Sequence, residues 1–315
     1  MSMEDGKAAI TLESVTRKYG AVTALKGISL EIPQGQLIGL LGRNGAGKTT
    51  ALNLMTGYLP PTAGRVRILG TDMMEAPREC QRHIGYLPEH PPLYDEMTVE
   101  EYLLFACELK EVVRSARKEH TEEILELCGL QEVQKRLLGH LSKGYRQRAG
   151  IAQALCGSPE ILILDEPTVG LDPRQTAEMR ELIRRLGKKR TVLFSSHLLG
   201  EVQQLCERVV ILHEGRIAGD LEPQRTEGGK RLIIRTAGEA ERAAEALRTV
   251  PGIAEVHQQG SGAGNAGLRV ILAAEAGDER VLDAIFRKMA EINLPIREMR
   301  EDREPLEELF LRLTQ

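Results

Sequence analysis

Apolar positions along this chain recur with two periods. Near the start, Ile10, Leu12 and Val15 begin a strand, and Ile28, Leu30 and Ile32 alternate strictly with other residues. That alternation predicts a half-buried antiparallel strand. Pro33-Gln34-Gly35 then turns the chain. Gln36 to Leu41 reads as a buried strand, and Thr49 to Thr56 as a helix. Residues 98 to 138 carry a helical period instead: Leu103, Leu104, Cys107 and Leu109 form one stripe, and Ile124, Leu125, Leu127, Cys128 and Leu130 another. Thr98-Val99-Glu100-Glu101 resembles a capping box at the first of these helices. Ile161-Leu162-Ile163-Leu164 is the continuous apolar run of a parallel strand covered on both faces. Met179, Leu182, Ile183 and Leu186 mark a helix; Thr191 to Phe194 and Val209 to Leu212 mark two more strands, and His213-Glu214-Gly215 turns the chain.

The pattern changes near Pro223 to Gly229. Beyond it the expected order is strand 230–237, helix 239–249, strand 253–259, strand 268–275, helix 279–293 and strand 296–301. That is a β-α-β-β-α-β split unit, an α+β ferredoxin-like domain. Gly260 to Gly267 reads as a flexible hairpin loop. Pro305 opens a terminal helix with Leu306, Leu309, Phe310 and Leu313 on one face. The expected organisation is therefore a nucleotide-binding α/β domain over 1–222 with a helical insertion at about 96–155, a linker at 223–229, and an accessory domain with a terminal helix over 230–315.

The chain has 315 residues, 42% hydrophobic and 28% charged, which allows two ordinary globular cores. No run approaches the roughly 18 to 20 apolar residues that a membrane span needs. The polar N-terminus carries no signal-peptide core, so a cytoplasmic location is expected. A net charge of -4 and only 3% aromatic residues argue against a nucleic-acid partner. Five scattered cysteines without a Cys-x-x-Cys pair read as reduced thiols, and no structural zinc is expected.

Chemistry concentrates at Gly42-Arg43-Asn44-Gly45-Ala46-Gly47-Lys48-Thr49, which matches the phosphate-binding pattern G-x-x-x-x-G-K-[ST]. Glycines let backbone N–H groups approach the phosphates, and the helix that follows offers its positive end. Lys48 is placed for the β- and γ-phosphates, and Thr49 for Mg²⁺. Thr50 continues the loop into the helix. A glycine-rich turn that binds nothing would not need the full match between strand and helix. Asp165-Glu166 ends the buried strand. Asp165 is placed to hold Mg²⁺, and Glu166 to orient or deprotonate an attacking water. His197 ends the next strand at the same edge, where it could sense the γ-phosphate.

Leu141-Ser142-Lys143-Gly144-Tyr145-Arg146-Gln147-Arg148 resembles the signature motif of ABC transporter ATPases. The remaining motifs follow in that family's order. Tyr19 resembles its adenine-stacking aromatic residue, Glu89 occupies the Q-loop position, Val169-Gly170-Leu171-Asp172 resembles the D-loop, and His197 the switch histidine. The resemblance implies two cassettes stacked head to tail, with ATP between the P-loop of one and Ser142 and Gly144 of the other. A second ATPase subunit, most simply a second copy, is then a required partner. It also implies a separate multi-span permease that holds the protein on the cytoplasmic face of the membrane, contacted through Glu89 to Tyr102. Pro88, Pro91 and Pro92 stiffen that segment, and Leu93, Tyr94 and Met97 offer apolar anchors. ATP and Mg²⁺ are the implied ligands. Two departures, Glu89 for the usual glutamine and Lys143 and Tyr145 within the signature, are familiar in the type-2 exporter group, including gliding-motility-associated subunits. The competing reading is a soluble ABC mechanoenzyme of translation or DNA repair. One cassette per chain and the absence of a long coiled coil between Lys48 and Ser142 weigh against it. A ligand-binding regulatory role for the C-terminal domain has no residue cluster to support it.

Overall fold

A computed structural model describes residues 7–222, 231–236, 240–262, 265–272, 278–301 and 306–314. The chain divides into two compact units, one of residues 1–221 together with 310–315, the other of residues 222–309.

The first unit opens with strands β1 (Ala8–Tyr19) and β2 (Val22–Pro33), then β3 (Leu37–Leu41) and helix α1 (Lys48–Met55). Strands β4 (Ala63–Ile68) and β5 (Thr71–Asp72), helix α2 (Pro77–Arg82) and strand β6 (Ile84–Leu87) follow. A helical stretch comes next, with α3 (Val99–Leu109), α4 (Arg117–Cys128) and α5 (Lys143–Leu155). The unit is completed by β7 (Ile161–Leu164), α6 (Pro173–Gly187), β8 (Thr191–Ser196), α7 (Leu199–Leu205), β9 (Arg208–His213) and β10 (Arg216–Leu221).

The strands form an antiparallel sheet in the order β2-β1-β4-β5 and a second sheet in the order β10-β9-β3-β8-β7-β6. In the second sheet only the β10–β9 pair is antiparallel among the described strands. Its central strands are buried on both faces, which is why they read as unbroken apolar runs. Alternate residues feed two different cores. Leu37, Leu41, Leu162, Leu164, Val192 and Phe194 pack with the helices α3 to α7. Ile38, Leu40, Ile161, Ile163, Leu193 and Val210 pack with α1 and the antiparallel sheet. The period of two thus sorts one sheet between two layers.

The helical stretch opens on a cap. Thr98 and Glu101 form the capping box, with the Thr98 amide 2.8 Å from Glu101 Oε2 and the Glu101 amide 3.3 Å from Thr98 Oγ1. Leu109 departs from the expected stripe and is 66% exposed, because it sits past the buried face of α3. The five cysteines are buried free thiols.

The second unit holds β11 (Arg231–Thr236), α8 (Ala240–Arg248), β12 (Ile253–Gly262), β13 (Asn265–Leu272), α9 (Asp278–Glu291) and β14 (Ile296–Glu301). Its antiparallel sheet runs β12-β13-β11-β14, the connectivity of a split β-α-β-β-α-β unit. Ala243, Ala244 and Leu247 from α8 and Val281, Ile285 and Met289 from α9 share its core. Within the loop expected over Gly260 to Gly267 the two strands run on, Gln259 facing Gly267 and Gly262 facing Asn265, while Ala263 and Gly264 lie outside the described residues. Continued ladder hydrogen bonds override the glycine-rich composition there. The expected linker at 223–229 and Pro305 lie outside the described residues. The last helix, α10 (Leu306–Leu313), ends within the first unit, where Phe310 and Leu313 pack against the larger core. The side chains of Leu306 and Leu309 lie outside the described residues.

Candidate functional site

Four parallel strands deliver the candidate residues to one edge. Strand β3 leads into the P-loop, β6 into Glu89, β7 into Asp165-Glu166, and β8 into His197. All four run the same way, so these residues gather at the carboxyl end of the sheet, where open α/β folds bind ligands.

The P-loop is shaped by backbone geometry. Gly47 caps α1 with φ 107°, in the left-handed region, and a Cβ there would lie 2.8 Å from Leu25 Cδ2. Only glycine fits both the torsion and the space. The Gly215 amide donates to the Ala46 carbonyl at 3.0 Å, fastening the loop to the turn after β9. Ala46 is 5% exposed, the Gly42 carbonyl accepts from Lys48, and neither residue is among those lining the adjoining cavity. Arg43, Asn44, Gly45, Gly47, Lys48, Thr49 and Thr50 line a cavity of about 390 Å³, together with Glu89, Glu166 and His197.

Lys48 is 6% exposed; its ammonium donates to the Gly42 carbonyl at 2.7 Å and lies 3.2 Å from Glu166 Oε1. The other carboxylate oxygen of Glu166 is 2.9 Å from His197 Nδ1. Glu166 adopts a positive φ of 48°, a strained backbone for a non-glycine residue. Its amide is held at 2.9 Å by Ser195 Oγ, and the same hydroxyl donates to Asp165 Oδ1 at 2.6 Å. Ser195 is fully buried on β8 and fixes both members of the acidic pair. The motif readings did not single it out.

Asp165 is also fully buried, and its Oδ2 has no hydrogen-bond partner among the described residues. Burial pushes its pKa up, with Glu166 and Glu89 adding to the effect; the Ser195 and Thr49 hydroxyls oppose it. An orphaned buried carboxylate oxygen near a threonine hydroxyl and a further carboxylate is a hard oxygen donor set, which fits Mg²⁺. Among the described residues no three His, Cys, Asp or Glu side chains converge as a self-sufficient metal cage.

Thr49 and Glu89 border a second cavity of about 670 Å³, shared with Tyr58, Tyr86, Pro88, His90, Pro92 and Asp165. Of the three expected anchors, Leu93 and Met97 pack into the core and Tyr94 stays exposed, edge-on to Tyr102 at 5.8 Å. Tyr19 is not among the residues lining the phosphate cavity. It is 44% exposed with the Arg17 guanidinium 4.8 Å over its ring, and Ala24 lines the cavity instead.

Ser142, Gly144 and Asp172 line a third cavity, of about 340 Å³, that shares no lining residue with the P-loop cavity. Ser142 stands at the N-cap of α5, yet its hydroxyl makes no capping bond, and the first turn holds no acidic residue. Asp172 is committed to capping α6 through the Gln175 amide at 2.8 Å. Gly144 packs on the Gln175 side chain, and the Lys143 ammonium lies over Gly170.

A family model described as ABC transporter matches residues 25–169. The bacitracin transport ATP-binding protein BcrA of Bacillus licheniformis is 41% identical over 214 residues, covering 67% of this chain and 69% of the relative. The chain belongs to the ABC transporter ATP-binding family. Its first unit has that family's ATPase fold. A dimeric post-hydrolysis ATP-binding cassette bound to ADP and phosphate aligns with a TM-score of 0.63 at 25% identity, over 69% of this chain and all of that one. The cbiO1 protein of Clostridium perfringens, part of the transporter complex cbiONQ, aligns with a TM-score of 0.64 at 25% identity, over 78% of this chain and 96% of that one. The chain is thus a nucleotide-binding subunit of an ABC transporter. No helix among the described residues is long and apolar enough to cross a membrane.

Proposed function

We propose that this subunit binds and hydrolyses ATP to drive export through a separate permease, as a type-2 exporter ATPase. The observation that carries the reading is the carboxylate of Glu166 held between Lys48 and His197 beside a glycine-rich phosphate cradle. Loop amides and Lys48 bind the polyphosphate. Glu166, freed from Lys48 when the ammonium turns to phosphate, takes a proton from the attacking water. His197 holds that carboxylate in place and faces the terminal phosphate. Thr49, Asp165 and Glu89 would hold Mg²⁺, which supplies charge neutralisation at the phosphates when bound. The uncapped start of α5, with Ser142 and Gly144, closes over the nucleotide of a second copy, so ATP binding joins two subunits.

The 670 Å³ cavity beside Glu89 is the proposed permease contact, with exposed Tyr58 in its lining offering apolar area. The kinship with a bacitracin transport subunit makes export of bacitracin the first activity to test. Glu166→Gln protein, purified from detergent-solubilised cells with ATP and Mg²⁺, should carry one multi-span membrane protein. Recovery with ribosomes or repair proteins instead would favour a soluble mechanoenzyme.

A further inference from the structure

Glu201, near the start of α7, is a carboxylate only 6% exposed. It has no cationic partner among the described residues. Its Oε2 accepts two hydrogen bonds, from Thr168 Oγ1 at 2.7 Å and from Ser196 Oγ at 3.0 Å. Thr168 is two residues beyond Glu166, in the turn closed by the Val169 amide to the Glu166 carbonyl at 3.1 Å. Ser196 immediately precedes His197, and its Oγ also accepts the Leu198 amide at 3.0 Å. One buried oxygen therefore grips the two loops that carry Glu166 and His197.

A buried charge is expensive unless its bonds are made, and a network of this kind fixes geometry strongly when fully satisfied. Both hydroxyls are themselves nearly buried, Thr168 at 6% and Ser196 at 1%, so water cannot substitute for the bonds. Meanwhile the backbone at Glu166 is strained, with φ 48°, and such a conformation persists only where its surroundings hold it.

We infer that Glu201 is a positioning residue for hydrolysis: by joining Thr168 to Ser196 it sets the 2.9 Å contact between His197 and Glu166. It lies outside the residues lining the phosphate cavity. Its effect falls on turnover rather than on ATP affinity. The inference rests on the proposed hydrolysis at Glu166.

The test uses the full chain with Glu201→Gln, Thr168→Val and Ser196→Ala, singly and combined. Turnover is measured at saturating Mg-ATP, affinity by titration with a fluorescent ATP analogue, and melting temperature alongside. Glu201→Gln should lower kcat about ten- to a hundredfold, since small misplacements of catalytic groups cost that much. Affinity should stay within about twofold, the signature of an interaction used only in the transition state. Adding Thr168→Val to Glu201→Gln should lower kcat by much less than Thr168→Val does alone, because both cut the same link. Unchanged kcat in Glu201→Gln, or multiplicative effects in the double variant, would overturn the role of Glu201 and leave the hydrolysis reading intact. A parent chain that binds ATP but never turns it over would overturn both.

Discussion

Replacing Ser195 by alanine tests the edge of the sheet on which the chemistry depends. The hydroxyl makes two buried bonds, one donated to the Asp165 carboxylate at 2.6 Å and one accepted from the Glu166 amide at 2.9 Å. A bond to a charged group contributes about 1.5–3 kcal/mol and a neutral one about 0.5–1.5 kcal/mol. The loss should therefore be about 3 kcal/mol. For a unit of this size that is a fall in melting temperature of about 6–12 °C. Thermal unfolding followed by circular dichroism, without nucleotide or Mg²⁺, reads it directly. Asp165→Asn in the same chain should recover part of the loss, because it removes the charge that Ser195 solvates. A shift below about 2 °C for Ser195→Ala would refute the claim that this hydroxyl holds the acidic pair.

Other outcomes follow from the same geometry. Burial raises the Asp165 pKa, so the folded chain holds that proton to higher pH than the unfolded chain does. Ionisation then weighs against folding as pH rises through and above the ordinary aspartate range, and the penalty is absent below it. Asp165→Asn should therefore raise the melting temperature at pH 7 in the absence of Mg²⁺, and the gain should vanish near pH 3 to 4; an equal gain at both pH values would contradict the burial argument. Glu166→Gln should keep ATP binding while turnover, followed by phosphate release, drops about 10²- to 10⁴-fold; near-normal turnover would remove Glu166 as the base. Lys48→Ala should weaken nucleotide binding in a titration, and unchanged affinity would contradict the phosphate cradle. Glu89→Gln should retain substantial ATPase activity, whereas complete loss would assign that carboxylate a specific role.

Local signals were the legible ones. The P-loop is eight consecutive residues, and the capping box at Thr98 is four, so each can be read without knowing the fold. The parallel strands were legible because burial on both faces leaves no polar position in runs such as Ile161 to Leu164. Ser195 and Glu201 were not legible as network residues. Their partners are 29 to 33 residues away for Glu166, Asp165 and Thr168, brought near only by β7 lying beside β8. A serine in an apolar strand and a glutamate in a short helix carry no sequence mark of such pairing. The described flanks of the Gly260 to Gly267 segment were hard to read for the opposite reason. Its composition favours a loop, but ladder bonds to a neighbouring strand are set by register, not composition.

The central claim is that one chain supplies only half of each ATP site, the phosphate cradle in one cavity and the signature in another. Sedimentation of the Glu166→Gln chain measures it most directly. With ATP and Mg²⁺ the mass should double, and with ADP or no nucleotide it should return to that of one chain. A Glu166→Gln chain that binds ATP with normal affinity, yet stays at the mass of one chain at every protein concentration tested, would contradict the account.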